Sequence, residues 1–341
     1  MNKAFLPTFE RVFRVHIYGV KQRRNVYMLR TNRGMWVVKG YKDEEKAQWV
    51  TTVAEQLRVR GFTKTVEYVQ SVSGETVIPI GSSYYTVMKA IDGEEASYMS
   101  LTDVKRAMAT LARFHLAARG FPPAPDMFHY KPPLIEKWEL RLADFEEIAH
   151  SVEQKGAQNR FEELVLKMAP EVLEDGYQII KNAFYLPLLP EIHQAAMFGT
   201  LAHRDVASHN FLIKAQGSCY MIDLDTVSYD MQLVDVVQLI SRMMLLQGYE
   251  MNAFSQAIEQ YMMICPLSDQ QIKLIHQLLR YPDNFLREVT GVYQKRPGYN
   301  LRGVMQLLQL EYKLRNQRRQ FLQAEQPLFT GGGWAGYLGA G

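Results

Sequence analysis

Short apolar runs separated by polar turns make up the first part of the chain. Such runs lie at residues 15–18, 26–29 and 35–39, and Asn32-Arg33-Gly34 has turn chemistry before the third. This alternation predicts an antiparallel meander over residues 12–41. Next come a predicted helix over 43–60, stopped by Gly61, and predicted strands over 76–80 and 84–88.

Helical periodicity replaces strand alternation after residue 90. The expected features are a helix over 102–118, a proline-rich loop over 121–133, two or three helices over 134–184, and a mostly helical region from Asp235 to about residue 325 with interruptions at Pro266, Pro282, Gly291 and Pro297-Gly298. The pattern predicts an α+β fold with two lobes: a small antiparallel β lobe with one helix, and a larger, mainly α-helical lobe.

The predicted domain boundaries follow from this change of pattern. We expect an N-terminal lobe over 1–90, a C-terminal lobe over 91–330 with a helical insert at about 134–184, and a flexible glycine-rich tail over 331–341.

Composition narrows the classes of protein that fit. The chain has 341 residues, 47% of them hydrophobic, and its net charge of +3 is too small to indicate nucleic acid as a partner. Cys219 and Cys265 lack metal-type spacing, which favours a reducing compartment. Residues 1–7 lack the apolar stretch of a signal peptide, and no run approaches the roughly 18 apolar residues of a membrane span, so we expect cytoplasmic synthesis and no membrane partner.

Two acid-bearing segments flank a predicted hairpin in the second half of the chain. Residues 203–210 read His-Arg-Asp-Val-Ala-Ser-His-Asn, and 222–225 read Ile-Asp-Leu-Asp. The strands between them, 211–213 and 218–222, turn at Gly217. A hairpin of this kind brings Asn210 and Asp223 to the same end.

These residue types suit phosphoryl transfer. An aspartate can accept the proton of a hydroxyl nucleophile, and an asparagine with a second aspartate can hold Mg²⁺ against phosphates. Asp205, Asn210 and Asp223 occur in that order. Taken singly, each is more typical of a cap or an Asx-turn. A two-metal hydrolase is an alternative, with ligands His203, Asp205, His209, Asp223 and Asp225, but it gives Asn210 no role.

The segment 203–210, the Ile222-Asp223-Leu224-Asp225 run and Asp235 opening an apolar helix together resemble the aminoglycoside phosphotransferase and choline kinase superfamily, a branch of the protein-kinase-like fold. Within it, the chain is most similar to bacterial spore-coat proteins of the CotS and YutH type, judged by its length, by residues 137–146 and by Asn210-Phe211-Leu212.

The resemblance implies that the lobe over 1–90 binds the nucleotide and that the lobe over 91–330 carries the catalytic and substrate-binding groups. It also implies roles for further residues. Lys39, at the end of an apolar strand, would contact phosphate oxygens and pair with an acid of the next helix, Glu55 or alternatively Glu45. The linker at Met88 and Ala90 would present backbone groups to adenine. Asp205 would be the catalytic base and Asn210 and Asp223 the Mg²⁺ ligands. Supporting roles fall to His203, Asp225 and Asp235, with His115 as a core histidine.

The sequence is compatible with two functions. The first is ATP- and Mg²⁺-dependent phosphorylation of an unknown hydroxyl-bearing small molecule by a protein of the spore coat. The second is an inactive kinase fold that serves as a structural coat component in contact with other coat proteins. The turn over 19–25 favours the second, because it has one glycine and three basic residues where phosphates usually need close backbone approach.

Overall fold

A computed structural model of the chain describes residues 6–23, 26–122, 132–296 and 298–324. Most of the predicted loop over 121–133 and the whole predicted tail over 331–341 lie outside the described residues. The chain divides into two compact units, residues 1–127 with 194–235 and residues 128–193 with 236–341. These boundaries between compact units do not coincide with residue 90. The lobe boundary predicted at residue 90 stays a prediction.

An antiparallel five-stranded sheet carries the N-terminal part of the first unit, in the order β1-β2-β3-β5-β4. Each hairpin follows a turn signal in the sequence, and Gly34, with φ of 101°, takes the left-handed conformation that the β2–β3 turn requires. The strands are β1 (Ile17–Arg23), β2 (Val26–Thr31), β3 (Gly34–Tyr41), β4 (Val77–Ile80) and β5 (Ser83–Lys89).

Alternation along these strands places one set of side chains in a common core. Leu29, Val38 and Val87 are fully buried there, and β3 pairs with β5 so that Lys39 lies opposite Thr86. Helix α1 (Leu6–Phe13) covers this core with Phe9 and Phe13. The sequence pattern did not predict α1, because an eight-residue segment is too short for helical periodicity to stand out.

Helix α2 (Glu44–Val59) confirms the helix predicted over 43–60. The Asp43 side chain caps it by accepting the backbone N–H groups of Glu45 and Lys46, and Gly61 follows its end with φ of 89°. Its apolar face buries Val50, Val53 and Leu57, as helical spacing requires.

A smaller three-stranded sheet, β6-β8-β9, confirms the hairpin predicted after residue 210. It comprises β6 (Glu94–Glu95), β8 (Phe211–Ile213) and β9 (Cys219–Met221), with Phe211 opposite Met221. Helix α3 (Leu101–Ala117), capped by Ser100, packs on this hairpin. Two short strands, β7 (Leu201–Ala202) and β10 (Ser228–Tyr229), pair on either side of the acidic loop.

In the residues that the structure describes, the second unit is built from helices. Within it Trp138 and Tyr281 stack with ring centroids 4.1 Å apart, and Gly291 lies buried inside a helix rather than interrupting one as predicted. The helices are α4 (Pro133–Lys155), α5 (Arg160–Asn182), α6 (Leu188–Met197), α7 (Leu233–Leu246), α8 (Met251–Met262), α9 (Asp269–Leu278), α10 (Asp283–Tyr293) and α11 (Leu301–Gln323), of which α6 and α7 also reach into the first unit.

The observed elements confirm the predicted α+β class, a β-rich N-terminal part followed by a larger helical part. In the described part of the chain, none of the helices combines the length and apolarity that crossing a bilayer requires.

Candidate active site

A buried carboxylate fixes the backbone of the segment 203–210, all within the first unit. Asp235, in the first turn of α7, accepts the N–H of His203 at 2.6 Å and the N–H of Arg204 at 2.7 Å. The His115 Nε2 lies 3.0 Å from the same carboxylate. Arg204 has φ of 67°, a left-handed conformation that these two backbone bonds stabilise.

The surroundings of the Asp235 carboxyl group determine whether it is ionised. Burial alone would raise the pKa of Asp235, but the hydrogen bonds from His115 and from the His203 N–H hold that pKa below its ordinary value. Burial lowers the pKa of His115 despite the nearby carboxylate. A neutral imidazole therefore donates its Nε2–H to an ionised Asp235.

His203 ties the two acid-bearing segments together. Its Nδ1 accepts the Asp205 N–H at 3.4 Å, so its Nε2–H donates to the Ile222 carbonyl at 3.1 Å. The Thr226 hydroxyl donates to the His203 carbonyl at 2.6 Å. These contacts link the segment 203–210 to the segment 222–226.

The three residues expected to do the chemistry lie side by side. The Asn210 amide nitrogen donates to the Asp205 carbonyl at 2.8 Å and lies 3.3 Å from its carboxylate. The Ile222 N–H donates to the Asn210 carbonyl at 2.9 Å, which sets Asp223 beside Asn210. Asp223 has φ of 62°, a strained conformation for a residue other than glycine. The hairpin thus brings Asn210 and Asp223 to the same end, as the sequence predicted.

This donor set fits Mg²⁺ bound together with phosphates. The Asn210 amide nitrogen is engaged by Asp205, which leaves the amide oxygen as the ligand atom, and Asp223 supplies a carboxylate. Over the described residues, no group of three or more His, Cys, Asp or Glu side chains is arranged to hold a metal ion. The described residues therefore offer no ligand cluster for the two-metal hydrolase alternative. An asparagine–aspartate pair can bind Mg²⁺ when phosphate oxygens complete the coordination shell of the ion.

Lys39 reaches this pair of loops from β3. Its Nζ lies 2.7 Å from Asp223 Oδ1 and 2.7 Å from Asp225 Oδ2, and its side chain is only 9% exposed. Burial alone would lower the pKa of Lys39, but the two carboxylates raise it above the ordinary value. Burial alone would raise the pKa of Asp223, but the charge and hydrogen bond of Lys39, together with His203 and the Asp225 N–H, hold that pKa below its ordinary value. Lys39 and Asp223 are therefore both charged at neutral pH.

The acid partner of Lys39 differs from the one expected. Glu55 and Glu45 are exposed on α2, and among the residues that the structure describes the carboxylates paired with Lys39 are those of Asp223 and Asp225. The apolar face of α2 packs inward, so a position on its opposite face cannot reach a buried ammonium. This corrects the expected pairing with either glutamate.

Sequence reasoning missed several residues around Asp225. The Tyr41 hydroxyl donates to Asp225 Oδ1 at 2.9 Å, the Lys46 ammonium donates to the Asp225 carbonyl, and the Trp49 indole N–H donates to the Val227 carbonyl at 2.9 Å. Tyr41 follows Lys39 by two positions on one strand, so both point to the same face. That alternation was the available signal.

The segment expected to present backbone groups to adenine takes part in the sheet, and its binding of adenine stays a prediction. The Ala90 N–H donates to the Met35 carbonyl at 2.9 Å, so it is not available for an adenine edge. Met88 lies within β5, opposite Val37 on one side and bridged to Tyr68 on the other. Strand pairing continues one residue further along this segment than the sequence pattern indicated.

Comparison with known protein families shows the family to which this chain belongs. The family model described as "Spore coat putative kinase YutH" matches residues 8–324. The chain belongs to this YutH family. Among curated proteins, spore coat protein S of Bacillus subtilis (strain 168) is 19% identical over 274 residues, covering 78% of this chain and 76% of that protein. The spore-coat resemblance seen in the sequence is thereby confirmed.

Solved structures confirm the fold of this YutH family member. An aminoglycoside phosphotransferase from Alicyclobacillus acidocaldarius superposes with a TM-score of 0.77 at 18% identity, covering 90% of each chain. AMP-bound spectinomycin phosphotransferase APH(9)-Ia gives 0.69 at 12% identity, over 95% of this chain and 99% of that one. Choline kinase LicA from Streptococcus pneumoniae gives 0.52 at 16% identity, over 93% and 98%. The protein-kinase-like fold expected from the sequence is thereby confirmed.

The His115–Asp235 pair predicts how the stability of this YutH family member depends on pH. The pKa of His115 is lowered in the folded protein, so below its ordinary value of 6.5 the unfolded chain binds more protons and unfolding is favoured. Replacing His115 by glutamine removes this term, worth up to about 1.4 kcal/mol per pH unit. Urea titrations from pH 7.5 to 5 should show a shallower loss of stability in the variant. Parallel curves would contradict the assignment.

Proposed function

We propose that the protein transfers the terminal phosphoryl group of ATP to a hydroxyl of a small molecule in association with the spore coat. The observation that carries this proposal is the convergence of Asp205, Asn210 and Asp223 with the Lys39 ammonium, which lies 2.7 Å from Asp223. Such a set provides a proton acceptor, metal ligands and a phosphate-binding cation, the requirements of phosphoryl transfer.

Each residue has a distinct part in this proposal. Asp205 accepts the proton of the attacking hydroxyl and orients its oxygen towards phosphorus. Lys39 binds phosphate oxygens as a buried cation, and Asn210 and Asp223 hold Mg²⁺. When bound, the metal would neutralise charge on the phosphates. Asp235, His115 and His203 act through the backbone by keeping Asp205 in place.

The names of structurally similar proteins suggest which class of acceptor to test first. The similar structures include phosphotransferases named for spectinomycin, and a choline kinase, so amino sugars and amino alcohols are the first candidates. Both classes offer a hydroxyl to an aspartate in the position of Asp205.

The test of this proposal measures binding and transfer separately. Isothermal calorimetry with Mg-ATP should show binding to the purified chain, and labelled ATP incubated with spectinomycin, kanamycin or choline should yield a phosphorylated acceptor. Asp205→Asn should retain Mg-ATP binding while transfer falls at least about a hundredfold, since the base is lost but the metal site is kept. A wild-type chain that does not bind Mg-ATP would refute the proposal.

A scaffold function is the second candidate, and one observation favours it. The β1–β2 hairpin contains Gly19 alone among glycines, and Arg23 from this hairpin forms an exposed ion pair with Glu95 at 3.1 Å. Its basic side chains are thus partly engaged by protein rather than held ready for phosphate. A spore phenotype that is lost on deletion of the gene but unchanged by Asp205→Ala would favour the scaffold.

A further inference from the structure

We propose that Asp225 is the residue that positions Lys39, taking the part expected of an acid on α2 and leaving Asp223 to the metal. This inference rests on the proposed function, because it concerns how the phosphate-binding lysine of that site is held. It assigns distinct tasks to two aspartates that lie only two positions apart in the sequence.

The contacts of the two carboxylates differ. Asp225 uses both oxygens for protein groups, with Oδ2 at 2.7 Å from Lys39 and Oδ1 at 2.9 Å from the Tyr41 hydroxyl. Asp223 directs Oδ1 at Lys39 and is more exposed, with 41% of its side chain accessible against 31% for Asp225. The carboxylate with both oxygens engaged suits a structural task, and the more open one suits a ligand.

Asp225 is itself held from several sides, as a positioning residue must be. The Tyr41 hydroxyl that binds it lies on the same strand as Lys39, so the carboxylate and the ammonium share one support. The Lys46 ammonium holds the Asp225 carbonyl, and the Trp49 indole holds the Val227 carbonyl. The first turns of α2 thus hold the loop over 225–227 through a lysine and a tryptophan, and not through an acidic side chain.

Electrostatics explains why a second acid is needed. The Lys39 side chain is 9% exposed, and a buried charge that loses its partner is strongly destabilising. When Asp223 turns to a metal ion, it ceases to be a dedicated partner of Lys39. Asp225 keeps the ammonium paired in that state, and the exposed Glu45 and Glu55 cannot do so from the outer face of α2.

The first test measures the reactivity of Lys39 without nucleotide. The purified chain is treated with sulfo-NHS acetate, and acetylation of Lys39 is followed by peptide mass spectrometry. Asp225→Asn should raise the rate about fivefold, since one of two ion pairs is lost, whereas Glu55→Gln and the exposed control Asp269→Asn should match the wild type. Equal rates in Asp225→Asn and the wild type, or a larger rise in Glu55→Gln, would overturn the proposal.

The second test measures Mg-ATP affinity by calorimetry. Asp225→Asn should bind about tenfold more weakly, and Asp225→Glu should recover part of the loss because it restores the charge. Tyr41→Phe keeps the Lys39 pair but frees one Asp225 oxygen, so it should show a smaller rise in Lys39 acetylation. This variant also decides the question if Asp225→Asn does not fold, as judged by thermal melting, because a rate equal to wild type would then count against the proposal.

The two tests separate the two proposals. Failure of the wild type to bind Mg-ATP would refute the phosphotransferase function, yet Lys39 acetylation would still show which acid holds the lysine. Normal Mg-ATP binding with unchanged Lys39 acetylation and affinity in Asp225→Asn would refute only the part assigned to Asp225.

Discussion

Changing Asp223 to asparagine is expected to weaken Mg-ATP binding by more than about a hundredfold, because it removes the carboxylate ligand of the proposed metal site. Asparagine has nearly the same shape and tolerates the left-handed backbone, with φ of 62°, at this position. The variant therefore tests charge and ligation with little added backbone strain.

Magnesium dependence gives this prediction a sharp internal control. In EDTA, ATP carries its full negative charge, and loss of the Asp223 charge beside Lys39 should leave metal-free binding unchanged or make it tighter. Calorimetry on wild type and variant, with and without Mg²⁺, measures both effects, and Asp269→Asn is a matched change at an exposed site. A variant that binds Mg-ATP like the wild type would exclude Asp223 as a ligand.

Changing Asp235 to alanine should produce the largest loss of stability, about 3–5 kcal/mol in the free energy of unfolding. Its side chain is completely buried and makes three hydrogen bonds, to the N–H groups of His203 and Arg204 and to His115. Truncation leaves these donors buried without an acceptor, and it releases the left-handed Arg204 backbone.

A matched substitution separates this effect from that of a helix terminus. Asp269 also lies in the first turn of a helix, α9, but it is exposed, so Asp269→Ala should cost less than about 1 kcal/mol. Urea unfolding of both variants measures the difference. Equal losses would show that Asp235 acts only as a helix-terminal charge and does not hold the catalytic segment.

Local patterns were sufficient for much of this fold. Strand alternation and turn residues predicted β2 to β5, and helical periodicity ended by Gly61 predicted α2. Gly217, with φ of 85°, marked the turn that joins β8 to β9. These features depend on residues a few positions apart, and a single sequence records such relations directly.

The sequence alone also predicted which residues come together in the candidate site. Asp205, Asn210 and Asp223 converge because a short hairpin must return its chain to the same end, and the structure sets the Asn210 amide against Asp205. Only the tertiary structure showed which acids pair with Lys39, because Asp223 lies 184 positions away in the sequence. The same holds for the hydrogen bond from the Ala90 N–H to the Met35 carbonyl. Periodicity fixes which face a residue occupies, whereas packing between distant segments decides which of several acids meets a buried charge.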